Sequence, residues 1–116
     1  MEEEFPPIKL FSATVLGMGG DGHTASLFPG TESLDLGLDP YSSRNFISSV
    51  PSDAPHERVS MTAPRLLASK EIFIHIVGRE KKEVLARALS GKDAYELPIR
   101  LVLNQSKVPV TIFWSP

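Results

Sequence analysis

The sequence predicts an α/β domain with a mainly parallel sheet. Three observations lead there. Apolar runs rich in β-formers alternate along the chain with segments of helical pattern. The first clear run, Ala13–Leu16, does not alternate cleanly between apolar and polar, which marks a buried parallel strand. That run stops abruptly in Gly17-Met18-Gly19-Gly20-Asp21-Gly22-His23, a glycine cluster holding an Asp and a His. Glycines let backbone approach a ligand closely, and a strand ending in such a loop with a helix behind it is an anion site.

Taken in order, residues 1–7 are an acidic tail closed by Pro6-Pro7. Ile8 to Leu16 is broadly apolar, with the strand at its end. Thr24–Phe28 is predicted as a short helix stopped by Pro29-Gly30, and Thr31–Ser43 as a loop broken by Gly37 and Pro40. Asn45–Val50 is a strand and Pro51–Pro55 a second loop. Arg58–Thr62 alternates as a half-buried strand should. Pro64 suits the first residue of a helix running to about Ser69. Glu71–Val77 is a strong strand, with Ile72, Phe73, Ile74, Ile76 and Val77 around His75, ended by Gly78. Lys81–Leu89 is an amphipathic helix with Val84, Leu85, Ala88 and Leu89 on one face, closed by Ser90-Gly91. Pro98–Leu103 is a short helix and Val110–Trp114 the last strand.

Composition narrows the function classes. At 116 residues the chain holds one domain at most and a modest core. The net charge of −2 gives no pull toward nucleic acid or an anionic membrane. The three basic residues Arg79, Lys81 and Lys82 are offset by Glu80 and Glu83 and read as a solvated helix start. Cysteine is absent, so there is no disulfide framework and no thiolate metal site. The three histidines show no metal-binding spacing, and no metal or cofactor is expected. The start Met1-Glu2-Glu3-Glu4 lacks the pattern of a signal peptide, and no run approaches the roughly 18 apolar residues of a membrane span. A cytoplasmic location is the expectation.

Gly17-x-Gly19-x-x-Gly22 satisfies the letter of the dinucleotide fingerprint. That fingerprint needs a long helix after the glycines and an acidic residue at a strand end about 20 positions on. Here Pro29-Gly30 interrupts, and Asp39 lies in a Gly/Pro-rich loop, so a dinucleotide-binding module is the remote alternative, which a response to NAD in a titration would raise. A purely structural turn, in turn, has little use for Asp21 and His23 so close together.

The stretch Leu16–Pro29 closely resembles the signature of the 6-phosphogluconolactonases, Leu-Gly-Met-Gly-x-Asp-Gly-His-Thr-Ala-Ser-Leu-Phe-Pro. The glucosamine-6-phosphate deaminases share that family's fold and its Asp-Gly-His. They carry a Glu five positions after the His, where this chain has Phe28, so the resemblance favours the lactonase. It extends to His56-Glu57-Arg58-Val59-Ser60 after Pro55, matching a Pro-x-Arg-(Ile/Val)-(Thr/Ser) segment. Gly78-Arg79-Glu80-Lys81 matches Gly-Glu-Gly-Lys, except that Glu80 replaces the second Gly and brings negative charge to the loop. The ending Ile112-Phe113-Trp114 matches only loosely. Family members have a further N-terminal half, with a phosphate loop and an Arg-containing motif. Residues 8–116 therefore correspond to the C-terminal portion of a three-layer, Rossmann-like domain, and a partner chain or an N-terminal half is expected to complete the site.

The resemblance implies hydrolysis of 6-phosphogluconolactone, a phosphorylated sugar lactone, to 6-phosphogluconate in the pentose phosphate pathway. The alternatives are a non-catalytic sugar-phosphate-binding fragment and a deaminase or isomerase. Lactone hydrolysis needs an activated water, a stabilised oxyanion and a proton for the leaving ring oxygen. His23 is the expected acid/base, with Asp21 orienting its ring or touching a sugar hydroxyl. The backbone of Gly19 and Gly20 would serve the oxyanion. Without a G-x-S-x-G elbow or a cysteine, a covalent esterase mechanism is not indicated. Lys81, where a helix opens, and Arg58 are the cations expected at the substrate's phosphate. His75 is expected to be a core or half-buried residue and His56 an exposed one.

Overall fold

The computed structural model describes residues 10–50 and 56–116. The expected tail at 1–7 and loop at 51–55 lie outside the described residues. The elements are β1 (Thr14–Leu16), α1 (Leu34–Leu38), β2 (Phe46–Ser49), β3 (Arg58–Met61), α2 (Ala63–Leu67), β4 (Ile72–Val77), α3 (Arg79–Leu89), α4 (Arg100–Leu103) and β5 (Val110–Ser115).

Three strands form a parallel sheet in the order β1-β4-β5, with Leu16 beside Ile74 and Ile74 beside Ile112. Because both β1–β4 and β4–β5 run parallel, the chain leaves β1 and β4 at the same sheet edge. β2 and β3 pair antiparallel in a separate two-stranded ribbon, Ile47 opposite Ser60. The α/β class and the parallel main sheet are as expected.

The core lies on one face of the main sheet. Leu16, Ile72, Ile74 and Ile76 project into a single apolar cluster with Leu66 of α2, Val84, Leu85 and Ala88 of α3, and Val102 of α4. The other face carries Val15, Phe73, His75, Val77 and Phe113, and Val15 is 70% exposed. The described residues thus supply two layers of the expected three, a sheet and the helices on one side. His75 is exposed as a result, contrary to the expected core or half-buried position. β1 is likewise buried only at Leu16.

Three local readings are corrected. Thr24–Phe28 is not a helix: it is a tight turn closed by a bridge between Thr24 and Leu27, with Ala25 in the left-handed region at φ 52°. The expected loop after Thr31 contains α1, built around Gly37, where a Cβ would collide with Leu27. Leu89 is 58% exposed, so the buried stripe of α3 is Val84, Leu85 and Ala88. α2 starts one residue before Pro64, with Thr62 capping it through a hydroxyl that accepts from the Arg65 N–H.

α3 has an anchor that the sequence did not disclose. Arg100 is 4% exposed, and its guanidinium donates to the carbonyls of Ala88 (3.0 Å), Arg87 (2.9 Å) and Asp93 (3.1 Å) and to the Glu96 carboxylate (2.8 Å). A cation thus satisfies the last carbonyls of α3 at the negative end of its dipole.

Candidate functional site

The glycine-rich loop leaves β1 at the edge where α3 begins after β4. Its shape is set by its own backbone. The Gly19 N–H donates to the His23 carbonyl (2.9 Å) and the Gly22 N–H to the Gly19 carbonyl (3.0 Å). Gly22 holds φ 81° and packs on Leu97, and its carbonyl accepts from the Ile99 N–H at 2.9 Å. Buried Thr24 reaches back through its hydroxyl to the Gly17 carbonyl (2.9 Å), tying the exit of the loop to its entrance.

This folding brings Asp21 and His23 together. Asp21 Oδ1 accepts from the His23 backbone N–H (3.1 Å) and lies 2.5 Å from His23 Nδ1. A carboxylate there fixes the proton on Nδ1 and leaves Nε2 as an acceptor. Burial pushes the Asp21 carboxyl pKa upward, but the hydrogen bonds from the His23 ring and backbone and the imidazolium charge outweigh it, and the pKa is lowered. The Asp21 side chain is 48% exposed and that of His23 31%, so both reach solvent.

The ring is packed on both sides. Phe28, buried, lies 4.4 Å from it between centroids, tilted by 31°. A Cβ on Gly19 would overlap His23 Cε1 and Nδ1, so the imidazole rests directly on the glycine backbone. Phe28 also receives the Arg58 guanidinium 5.7 Å from its ring centre. The Ser60 hydroxyl accepts from the Ser26 N–H (3.0 Å) and joins the stretch after the loop to β3, which carries Arg58.

Of the residues expected to act, Gly19, Asp21 and His23 form one contiguous cluster, with Arg58 linked to it through Phe28. Gly20 adjoins that cluster. Its N–H makes no hydrogen bond among the described residues, whereas those of Gly19 and Gly22 are engaged within the loop. Lys81 sits in the first turn of α3, part-buried, behind Gly78 at φ 96°. It is not joined to the His23 cluster by any bond; the residue of that turn that reaches the loop is Glu80, whose carboxylate lies 3.1 Å from where a Gly20 Cβ would be. Phe28 as a wall for the imidazole and Ser60 as a tether were not foreseen. The first had a signal, an aromatic five residues after the histidine; the second depends on a contact across 34 residues. Among the described residues no three His, Asp or Glu side chains gather as metal ligands, and no helix is long and apolar enough to cross a membrane.

The arrangement is an acid–base pair whose imidazole Nε2 and whose neighbour Gly20's N–H make no hydrogen bond among the described residues. It can deprotonate a water and hand the proton on. The family model for glucosamine-6-phosphate isomerases/6-phosphogluconolactonase matches residues 1–114. The chain is 42% identical over 111 residues to a 6-phosphogluconolactonase of Pseudomonas putida and 43% identical over 102 residues to one of Rhizobium meliloti, covering 96% and 88% of this chain. It superposes with a TM-score of 0.87 on the crystal structure of a 6-phosphogluconolactonase from Shewanella baltica, at 40% identity and 91% coverage. It spans only 43%, 44% and 45% of those three proteins. The fold is their Rossmann-like fold, present in part, and the chain belongs to the glucosamine-6-phosphate isomerase/6-phosphogluconolactonase family.

Proposed function

We propose that residues 8–116 carry the acid–base portion of a 6-phosphogluconolactonase site. The observation that carries this is the 2.5 Å contact between Asp21 Oδ1 and His23 Nδ1, which leaves Nε2 as a base. His23 Nε2 takes a proton from water as the hydroxide oxygen attacks the lactone carbonyl carbon. The Gly20 N–H faces the resulting oxyanion. Collapse breaks the bond to the ring oxygen, which takes the proton from His23, giving 6-phosphogluconate. Asp21 keeps the ring in one tautomer and offsets the charge of the imidazolium. Lys81 and Arg58 balance the phosphate, Lys81 as a point charge at the positive end of α3.

Two further readings are weighed. Phe28 fills the space beside His23 with an aromatic wall, which leaves no carboxylate there for the ring opening of an amino sugar phosphate. Spanning under half of its relatives, the chain can also bind the sugar phosphate without turning it over. Hydrolysis of freshly made 6-phosphogluconolactone, with the spontaneous rate subtracted, separates these. Activity above background that disappears in His23→Ala supports the proposal. A folded wild-type chain that binds 6-phosphogluconate with no activity favours the binding fragment.

A further inference from the structure

The first turn of α3 carries Glu80 beside Lys81, and the two side chains have opposite interests in a bound phosphate. Glu80 is exposed and lies over Gly20, its carboxylate 3.1 Å from the position of a Cβ on that residue. An anion at this end of α3 is favoured by the helix dipole. α3 is 11 residues long, and its N-cap Gly78 offers no side chain to satisfy the first turn. Gly78 is itself held in place: its N–H donates to the Ser115 carbonyl (2.9 Å) and its carbonyl accepts from Trp114 Nε1 (2.8 Å). Lys82, the next cation along, is turned away, its Nζ 4.2 Å over the Trp114 ring. The corner between Gly20 and α3 thus already contains an anion, and that anion is Glu80.

We infer that Glu80 is a specificity-determining residue that weakens the hold of this corner on phosphate, so that Lys81 and Glu80 together set how strongly a phosphorylated sugar is preferred over its unphosphorylated counterpart. This rests on the assignment of Lys81 to the phosphate in the proposed function. A phosphate held between Lys81 and the Gly20 loop would share this corner with the Glu80 carboxylate, and like charges in partly solvated positions repel modestly. Glu80→Gln keeps the shape and removes the charge.

The test is calorimetric titration of the chain with 6-phosphogluconate and with gluconate, which differ only in the phosphate. Wild type, Glu80→Gln and Lys81→Gln are compared. Glu80→Gln is expected to tighten 6-phosphogluconate by about two- to fivefold and gluconate, whose single carboxylate carries less charge, by clearly less. The gain should vanish between about 0.01 M and about 1 M salt, as the Debye length falls from ~30 to ~3 Å. If Lys81→Gln weakens 6-phosphogluconate but Glu80→Gln does not tighten it, the inference is wrong and the phosphate assignment stands. If Lys81→Gln has no effect, or no variant binds either probe, the phosphate assignment fails and the inference with it. Equal tightening of gluconate by Glu80→Gln also overturns it, because the effect would then not concern the phosphate.

Discussion

A methyl group added at Gly19 should disable the site without unfolding the loop. Gly19 is outside the positive-φ residues, so alanine meets no backbone penalty there. The cost is confined to the side chain: the new Cβ would overlap Cε1 and Nδ1 of His23 and stand 2.8 Å from Asp21 Oδ1. Ordinary carbon contacts need about 3.5 Å, so the imidazole must retreat by about 1 Å. Phe28 blocks retreat on one side, 4.4 Å from the ring. The ring must therefore swing off Asp21, and the 2.5 Å contact breaks. A displacement of about 1 Å in a positioned catalytic group lowers turnover by about 100-fold. Global stability should fall by no more than about 1 kcal/mol, since the lost pair is half exposed.

Gly17→Ala is the matched control. Nothing lies within 4 Å of a Cβ there and its φ is not positive, so both stability and turnover should match wild type. Lactone hydrolysis gives the rate, and the ring proton signals of His23 in NMR report its position whether or not the chain turns over. An unshifted His23 spectrum in Gly19→Ala, or wild-type turnover, refutes the claim that this glycine exists to seat the imidazole.

Two other outcomes test the frame around the site. Arg100→Met removes a buried cation from three carbonyls and leaves those of Arg87 and Ala88 with only their bonds from Ser90 and Gly91; with charged hydrogen bonds near 1.5–3 kcal/mol each and partial rehydration of the carbonyls, urea unfolding should show a loss of about 3 kcal/mol. Arg100→Lys should recover less than half of it, because one ammonium cannot serve acceptors spread from Arg87 to Asp93, and full recovery would contradict the bonding described. The Asp21 carboxyl titrates below its ordinary value of 3.8, so its contribution is present above that pH and is lost as pH falls through the lower folded value. The stability difference between wild type and Asp21→Asn, under about 1 kcal/mol for so exposed a pair, should therefore be widest above the ordinary value of 3.8 and close as the pH falls below it; a gap independent of pH would show that the charge is not what matters.

What the sequence disclosed follows from how far each feature depends on distant residues. The Asp21–His23 pairing could be anticipated because two residues separated by one glycine meet through local geometry. The strands of the main sheet were legible for the same reason, each being a β-branched run bounded by Gly or Pro. The turn at Thr24–Phe28 is not legible in the sequence because the Thr24 hydroxyl binds the Gly17 carbonyl and Ala25 adopts φ 52°, neither of which a propensity registers. α1 is hidden in the sequence because Gly37 argues against a helix locally, while Leu27 fills the space where a side chain would sit. His75 carried a readable signal: Ile72, Ile74 and Ile76 alternate, which places the residue between them on the opposite face. Arg100 had none, since its acceptors lie up to 13 residues away.

The bonds that shape the site divide unevenly from those that would enclose it. Every contact that fixes the Asp21–His23 pair is made within the described residues: the loop closes on itself through Gly19 and Gly22, Thr24 ties its ends, Ile99 holds Gly22, and Phe28 backs the ring. The orientation of the imidazole is thus a property of this chain. The sheet that carries the loop has its second face open, with Val15, Val77 and Phe113 each at least half exposed, whereas parallel sheets are normally covered on both faces. Orientation and enclosure contribute separately to rate, the first by positioning the base and the second by removing water that screens developing charge. A surface that covered the open face would be expected to stabilise the sheet by taking Val15, Val77 and Phe113 out of water, while leaving the geometry of His23, and so its NMR signature, as it is in this chain alone.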